Sequence, residues 1–153
     1  MASIVSAVAT TAEGADKGAA PPQATEMRVA NPYAAVDQEP PPELTLDPPD
    51  PKALRQGVVW IQYQVQNLRI LPVFGKEAVA VSPRVGHLHI IVDDLPWWWA
   101  HTSDINTIDL AGLPPGEHQV QVMLVNPNHE TFPGQTRTVK FTVPAEAASA
   151  SHR

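Results

Sequence analysis

This sequence predicts an all-β fold: an immunoglobulin-like β-sandwich of about seven strands, preceded by a disordered or extended N-terminal arm. Three observations carry the prediction. Short runs of β-branched and aromatic residues alternate apolar with polar side chains, as half-buried strands do. Turn signals separate these runs every roughly 8–12 residues, a spacing typical of sandwiches. No stretch keeps helical periodicity for more than about two turns.

The segment 1–43 is rich in Ala, Pro, Thr, Gln and Glu and poor in large apolar side chains. It buries too little surface to offset the entropy of ordering it, and so reads as the arm. Asn31-Pro32-Tyr33 is its one adhesive spot. The domain occupies 44–144, and 145–153 is a low-complexity tail that frays.

Within the domain, Leu44-Thr45-Leu46 lies among prolines and reads as an edge strand, because proline has no N–H to donate. Lys52 to Gln56 allows a single helical turn after Pro51. Val58 to Val65 alternates, with Val59, Ile61, Tyr63 and Val65 on one face. Arg69 to Phe74 is a shorter strand interrupted by Pro72, and Val85 to Asp93 is a longer one. Asn106 to Leu110 is brief. In Leu113-Pro114-Pro115-Gly116, proline presets φ and glycine supplies a positive φ. That turn leads into Glu117 to Asn126, the most regular strand, and Thr136 to Val143 closes the domain.

The bulk composition narrows the function. The chain has 153 residues, 43% of them hydrophobic, with a formal net charge of -6. An acidic chain has no electrostatic attraction for nucleic acid or an anionic membrane, so neither is expected as a partner. No apolar run approaches the ~20 residues of a membrane helix. With no cysteine, disulfides, thiolate catalysis and zinc-finger chemistry are all excluded. No Gly-rich phosphate loop, Gly-x-Ser-x-Gly elbow or His-Glu-x-x-His helix is present, and no organic cofactor is expected. Ala7-Val8-Ala9 has the small-x-small form of a leader cleavage site, which suggests a trimmed export signal.

The chemistry concentrates in histidines. His87 and His89 are two apart in a strand, so both rings project from one face. Leu88, Ile90 and Val92 form the opposite, core-facing row. The outer face also carries Ile91, an apolar residue that implies some cover. Imidazoles under cover need partners, and a metal is one such partner. His129 follows the strongest strand, in a loop Asn126-Pro127-Asn128-His129-Glu130, and completes a candidate ligand set with His87 and His89. Three imidazoles suit copper or zinc, with an open position for water. Asn128 and Glu130 are candidates for holding a ligand or substrate, and His87, His89, His129 and Glu130 are the catalytic candidates. His118, in register with Val120, Val122 and Leu124, reads as a structural histidine near the rim. His152 lies in the tail.

Trp97, Trp98 and Trp99 are consecutive. In an extended chain they cannot all enter one core, so at least one is exposed or covered by a ligand or another chain. With His101 and Asn128 they form the candidate ligand or interface set, which leaves a homo-oligomer open. Asp93 and Asp94 point to opposite faces if still in a strand, and so do not form a catalytic carboxylate pair.

From Leu44 to Val143 the chain resembles an uncharacterised bacterial family of small exported proteins, a domain of unknown function. The motifs that carry the resemblance begin with Gly57-Val58-Val59-Trp60-Ile61-Gln62-Tyr63 and Ser82-Pro83-Arg84-Val85-Gly86-His87-Leu88-His89. They continue with Asp93-Asp94-Leu95-Pro96-Trp97, Leu113-Pro114-Pro115-Gly116-Glu117-His118 and Asn126-Pro127-Asn128-His129. The resemblance implies a periplasmic or secreted protein and brings no reaction with it. The family pattern resembles Pro-Trp-His-Trp-Ala-Asp where this chain has Pro96-Trp97-Trp98-Trp99-Ala100-His101, so a site that used this loop would be altered here. Three readings follow: a cell-envelope metal-binding protein, a small enzyme using the same histidines on a small organic substrate, or a Trp-anchored interaction module.

Overall fold

The computed structural model describes residues 35–146. Within them the chain is all-β, with eight strands in two sheets. The strands are β1 (Glu43–Leu46), β2 (Val58–Gln66), β3 (Arg69–Ile70), β4 (Val85–Val92), β5 (Trp99–His101), β6 (Thr107–Ala111), β7 (Gly116–Val125) and β8 (Thr131–Val143). One sheet has the order β1-β2-β6, and the other β3-β4-β7-β8 with β5 also paired to β4.

The alternation read from the sequence forms the core between the sheets. Leu44, Val59, Ile61, Tyr63 and Ile108 come from the first sheet. Leu88, Ile90, Val92, Val120, Val122 and Leu124 come from the second. All are buried, and each fully buried aliphatic side chain contributes about 1.5–3 kcal/mol. The sheets are also tied at an edge, where the Leu44 N–H donates to Gln135 Oε1 at 2.8 Å.

Several expected elements shift. The helical turn after Pro51 is there, as α1 (Pro51–Leu54), capped by Asp50 Oδ1 accepting from the Ala53 N–H at 2.7 Å. The strand expected over Arg69 to Phe74 stops at Ile70. Pro72 has no N–H with which to continue the ladder, and the chain turns as the Val73 N–H donates to the Leu71 carbonyl. The final strand begins at Thr131 rather than Thr136, with an irregularity in its pairing to β7 between Met123 and Val125. β5 is an addition that its sequence did not announce.

Of the expected arm, residues 35–43 are described: Glu43 already belongs to β1, and the residues before it are fastened to the body. Glu39 Oε1 accepts from Ser82 Oγ at 2.6 Å and Oε2 from the Arg84 N–H at 2.9 Å. The Arg84 guanidinium donates to the Pro40 and Val36 carbonyls. These bonds hold the Glu39 carboxyl below its usual range, the Ser82 bond most of all. Asn31-Pro32-Tyr33, His152 and Ala7-Val8-Ala9 lie outside the described residues.

Candidate metal centre

β4 presents His87 and His89 on the face away from the core, as its period dictates. On that face β7 places Val125 opposite His87 and Met123 opposite His89. Just beyond Val125 the chain turns and delivers His129. The three rings converge. His87 Nε2 and His89 Nε2 are 3.1 Å apart, His87 Nε2 and His129 Nδ1 3.3 Å, and His89 Nε2 and His129 Nδ1 3.0 Å.

A neutral imidazole carries one N–H, so a single proton serves one such pair well and leaves the third nitrogen poorly served. A cation could serve all three at once: His87 Nε2, His89 Nε2 and His129 Nδ1 would hold it, at metal–nitrogen bonds of the usual ~2.0–2.1 Å. No Asp or Glu among the described residues joins the cluster.

His87 and His89 are 0% and 5% exposed despite lying outside the core, so the cover implied by Ile91 is real. Two aromatic rings and the third histidine supply it. Trp98 stacks on His89, with ring centroids 3.7 Å apart, and also leans on His129. Phe74 meets His87 in a T-shaped contact and stacks on His129. Burial pushes both His87 and His89 down to about 4, and the charge that neighbouring histidines would carry adds to the effect. Both rings are therefore neutral near pH 7, the form in which imidazole binds metal. His87 Nδ1 is buried with no hydrogen-bond partner among the described residues, which costs free energy.

His129 is exposed and has φ 65°, in the left-handed region. A closed set of hydrogen bonds holds it there. Asn126 Oδ1 accepts from the N–H groups of Asn128 at 2.9 Å and Glu130 at 3.0 Å. The Asn126 carbonyl accepts from the His129 N–H at 3.0 Å. Glu130 Oε2 accepts from Asn126 Nδ2 at 2.8 Å and Oε1 from Asn128 Nδ2 at 3.2 Å. These two amides lower the Glu130 carboxyl, the Asn126 bond most. Asn128 and Glu130 thus brace the loop that carries His129.

The other candidates separate cleanly. Trp97 is 53% exposed and contacts Trp99, which packs against the core. His101 pairs with Leu88, on the core side of β4, and meets Tyr63 edge-on; burial lowers it, with Asp109 opposing. It does not approach the three converging rings. His118, read from its register as a structural histidine, has both ring nitrogens engaged. Nδ1 bonds Asp93 Oδ2 and Nε2 bonds the Pro114 carbonyl, each at 2.7 Å. Asp93 and Asp94 have φ 53° and 43°, so they form a turn and not a strand end. Asp93 Oδ1 also accepts from the Gln119 N–H.

Sequence reasoning missed two participants, Phe74 and Asn126. Asn126 had a usable signal, since Asn-Pro opens turns in which the Asn side chain caps the backbone. Phe74 had none, because its position depends on the turn after Pro72 and on the Gly75 N–H donating to the Pro127 carbonyl. Two surface hollows, about 800 and 330 Å³, are lined among others by Asp93 and His118 and by Tyr63 and Ile70, and neither includes a residue of the trio. No helix among the described residues is long and apolar enough to cross a membrane.

No curated protein and no solved structure matches the chain. A family model matches residues 1–153, and the chain therefore belongs to DUF6130, a family of unknown function.

Proposed function

We propose that this protein binds a transition-metal ion, zinc or copper, through His87 Nε2, His89 Nε2 and His129 Nδ1. The observation that carries the reading is the mutual approach of three ring nitrogens to 3.0–3.3 Å. Two features support it: both strand histidines are neutral near pH 7, and the third is held by a braced loop. A location in the cell envelope is part of the proposal and rests on the family resemblance and on the cleavage-site form of Ala7-Val8-Ala9, while the immunoglobulin-like description of the sandwich rests on the spacing of strands and turns in the sequence.

The test is elemental analysis and zinc titration of the purified protein beside a His87→Ala/His89→Ala variant. The expected result is one ion per chain, with affinity lost by about a hundredfold or more in the variant. Equal metal content in both would overturn the reading.

A second reading is favoured by one specific observation, that no Asp or Glu among the described residues joins the three histidines, so that a bound ion would keep a position for water. A metal-bound water there is the usual source of hydroxide near neutral pH, so the centre would serve hydrolysis or hydration of a small organic substrate. In the third reading the exposed Trp97 anchors a partner or a second copy of the chain.

A further inference from the structure

The immediate surroundings of the trio constrain what occupies its remaining coordination position. We propose that it takes a small organic anion with a flat apolar body, an aromatic carboxylate being the simplest example. The inference rests on the metal-centre reading and deepens it.

The charge balance comes first. Three imidazoles are neutral ligands, so a bound divalent ion keeps its full charge. No Asp or Glu among the described residues joins the cluster to offset it. The one carboxylate close in sequence, Glu130, has each oxygen engaged by an amide, Asn126 at 2.8 Å and Asn128 at 3.2 Å. Beside the flanking aromatic rings this charge is less well screened than in bulk water, so an anionic donor is favoured at the open position.

The shape comes second. The trio is bracketed by two aromatic side chains, each touching a different pair of histidines. Phe74 touches His87 and His129, and Trp98 touches His89 and His129. Each bracket remains half exposed, Phe74 at 50% and Trp98 at 45%. A ligand bound to the ion beside His129 would therefore have partly exposed aromatic area within reach to bury against. Its head is chosen by the ion and its body by the rings. An anion with no apolar body, such as acetate or phosphate, satisfies the first requirement and not the second.

The test is calorimetric titration of the zinc-loaded protein with benzoate, acetate and inorganic phosphate, repeated on Trp98→Ala and Phe74→Leu with zinc saturating in each. The expected result is benzoate binding about tenfold tighter than acetate or phosphate. That preference should fall to about threefold or less when either ring is cut back, and benzoate should not bind the zinc-free protein. If zinc itself does not bind, the metal-centre reading falls and this inference falls with it. If zinc binds but benzoate and acetate bind alike, or if benzoate binds without zinc, the inference falls and the metal centre stands. A benzoate preference that survives both ring substitutions also overturns it.

Discussion

Trp98 lies face to face with His89, the ring centroids 3.7 Å apart and the planes 15° from parallel. The chain's most conspicuous aromatic run and its histidine strand therefore meet at one ring pair. A copper(II) ion held by His89 would lie close to this indole and would quench its emission. Of the four tryptophans, Trp98 should lose the most. Copper(II) titration monitored by fluorescence, repeated on each Trp→Phe variant, should show the greatest loss of quenching in Trp98→Phe. An unchanged quench in that variant would contradict the stacked geometry.

Asn126 should matter to the centre without touching it. It is 8% exposed and its side chain binds three groups of its own loop. Asn126→Ala leaves the Asn128 and Glu130 N–H groups without their acceptor, a cost of about 1–3 kcal/mol. The same change frees His129 from its left-handed conformation, so zinc affinity should fall about tenfold or more. Thermal melts with and without zinc separate the two effects: the zinc-induced rise in Tm should shrink along with the metal-free Tm. A purely structural role would lower the metal-free Tm and leave that rise intact.

Gly86 is fixed by close approach. A Cβ there would collide with the Val125 carbonyl oxygen and come within 3.0 Å of Leu68 Cδ1. Backbone cannot yield as a flexible side chain does. Gly86→Ala should destabilise the fold by about 1–3 kcal/mol in urea unfolding, and weaken metal binding by spreading β4 from β7 next to His87.

The Asp93–His118 pair sets a pH window. For His118, burial lowers the pKa, but the Asp93 bond, the Pro114 carbonyl and the Asp93 charge outweigh it, so the folded value lies above 6.5. For Asp93, burial raises the pKa, but the Gln119 N–H and His118 outweigh it, so the folded value lies below 3.8. The histidine's contribution is full below 6.5 and fades as pH rises through the raised folded value. The aspartate's contribution is full above 3.8 and fades as pH falls through the lowered one. Asp94, Glu117 and Lys140 line the same hollow. The stability gap between the protein and Asp93→Asn should thus be widest between about pH 4 and 6.5 and narrow above it, amounting to at most about 1 kcal/mol after solvent screening. Denaturant unfolding from pH 4 to 9 measures it, and a gap that grows with alkalinity would refute the pairing.

Much of this was legible in the sequence because strand period is a strict rule. The alternation of Leu88, Ile90 and Val92 with His87 and His89 assigns both faces of β4 before any fold is known. The sandwich follows from the same alternation in β2 and β7. The third histidine of the cluster was legible only as a histidine on a loop after a strong strand, since pairing β4 with β7 is a long-range event. What stayed hidden was set by tertiary contact. β5 is too short to display a period. Phe74 reaches the histidines only because a proline ends β3 and the next turn is caught by Pro127. His101, next to the tryptophans in sequence, falls on the core side because β5 pairs with β4.

One consequence follows from the way β4 interleaves its two rows. Sliding this strand by a single residue would send imidazoles inward and leucine and isoleucine outward, so the register that hides the grease is the same one that gathers the nitrogens. Metal uptake would then report on correct folding, since a misthreaded chain loses its cohesion and its ligand cluster in the same stroke.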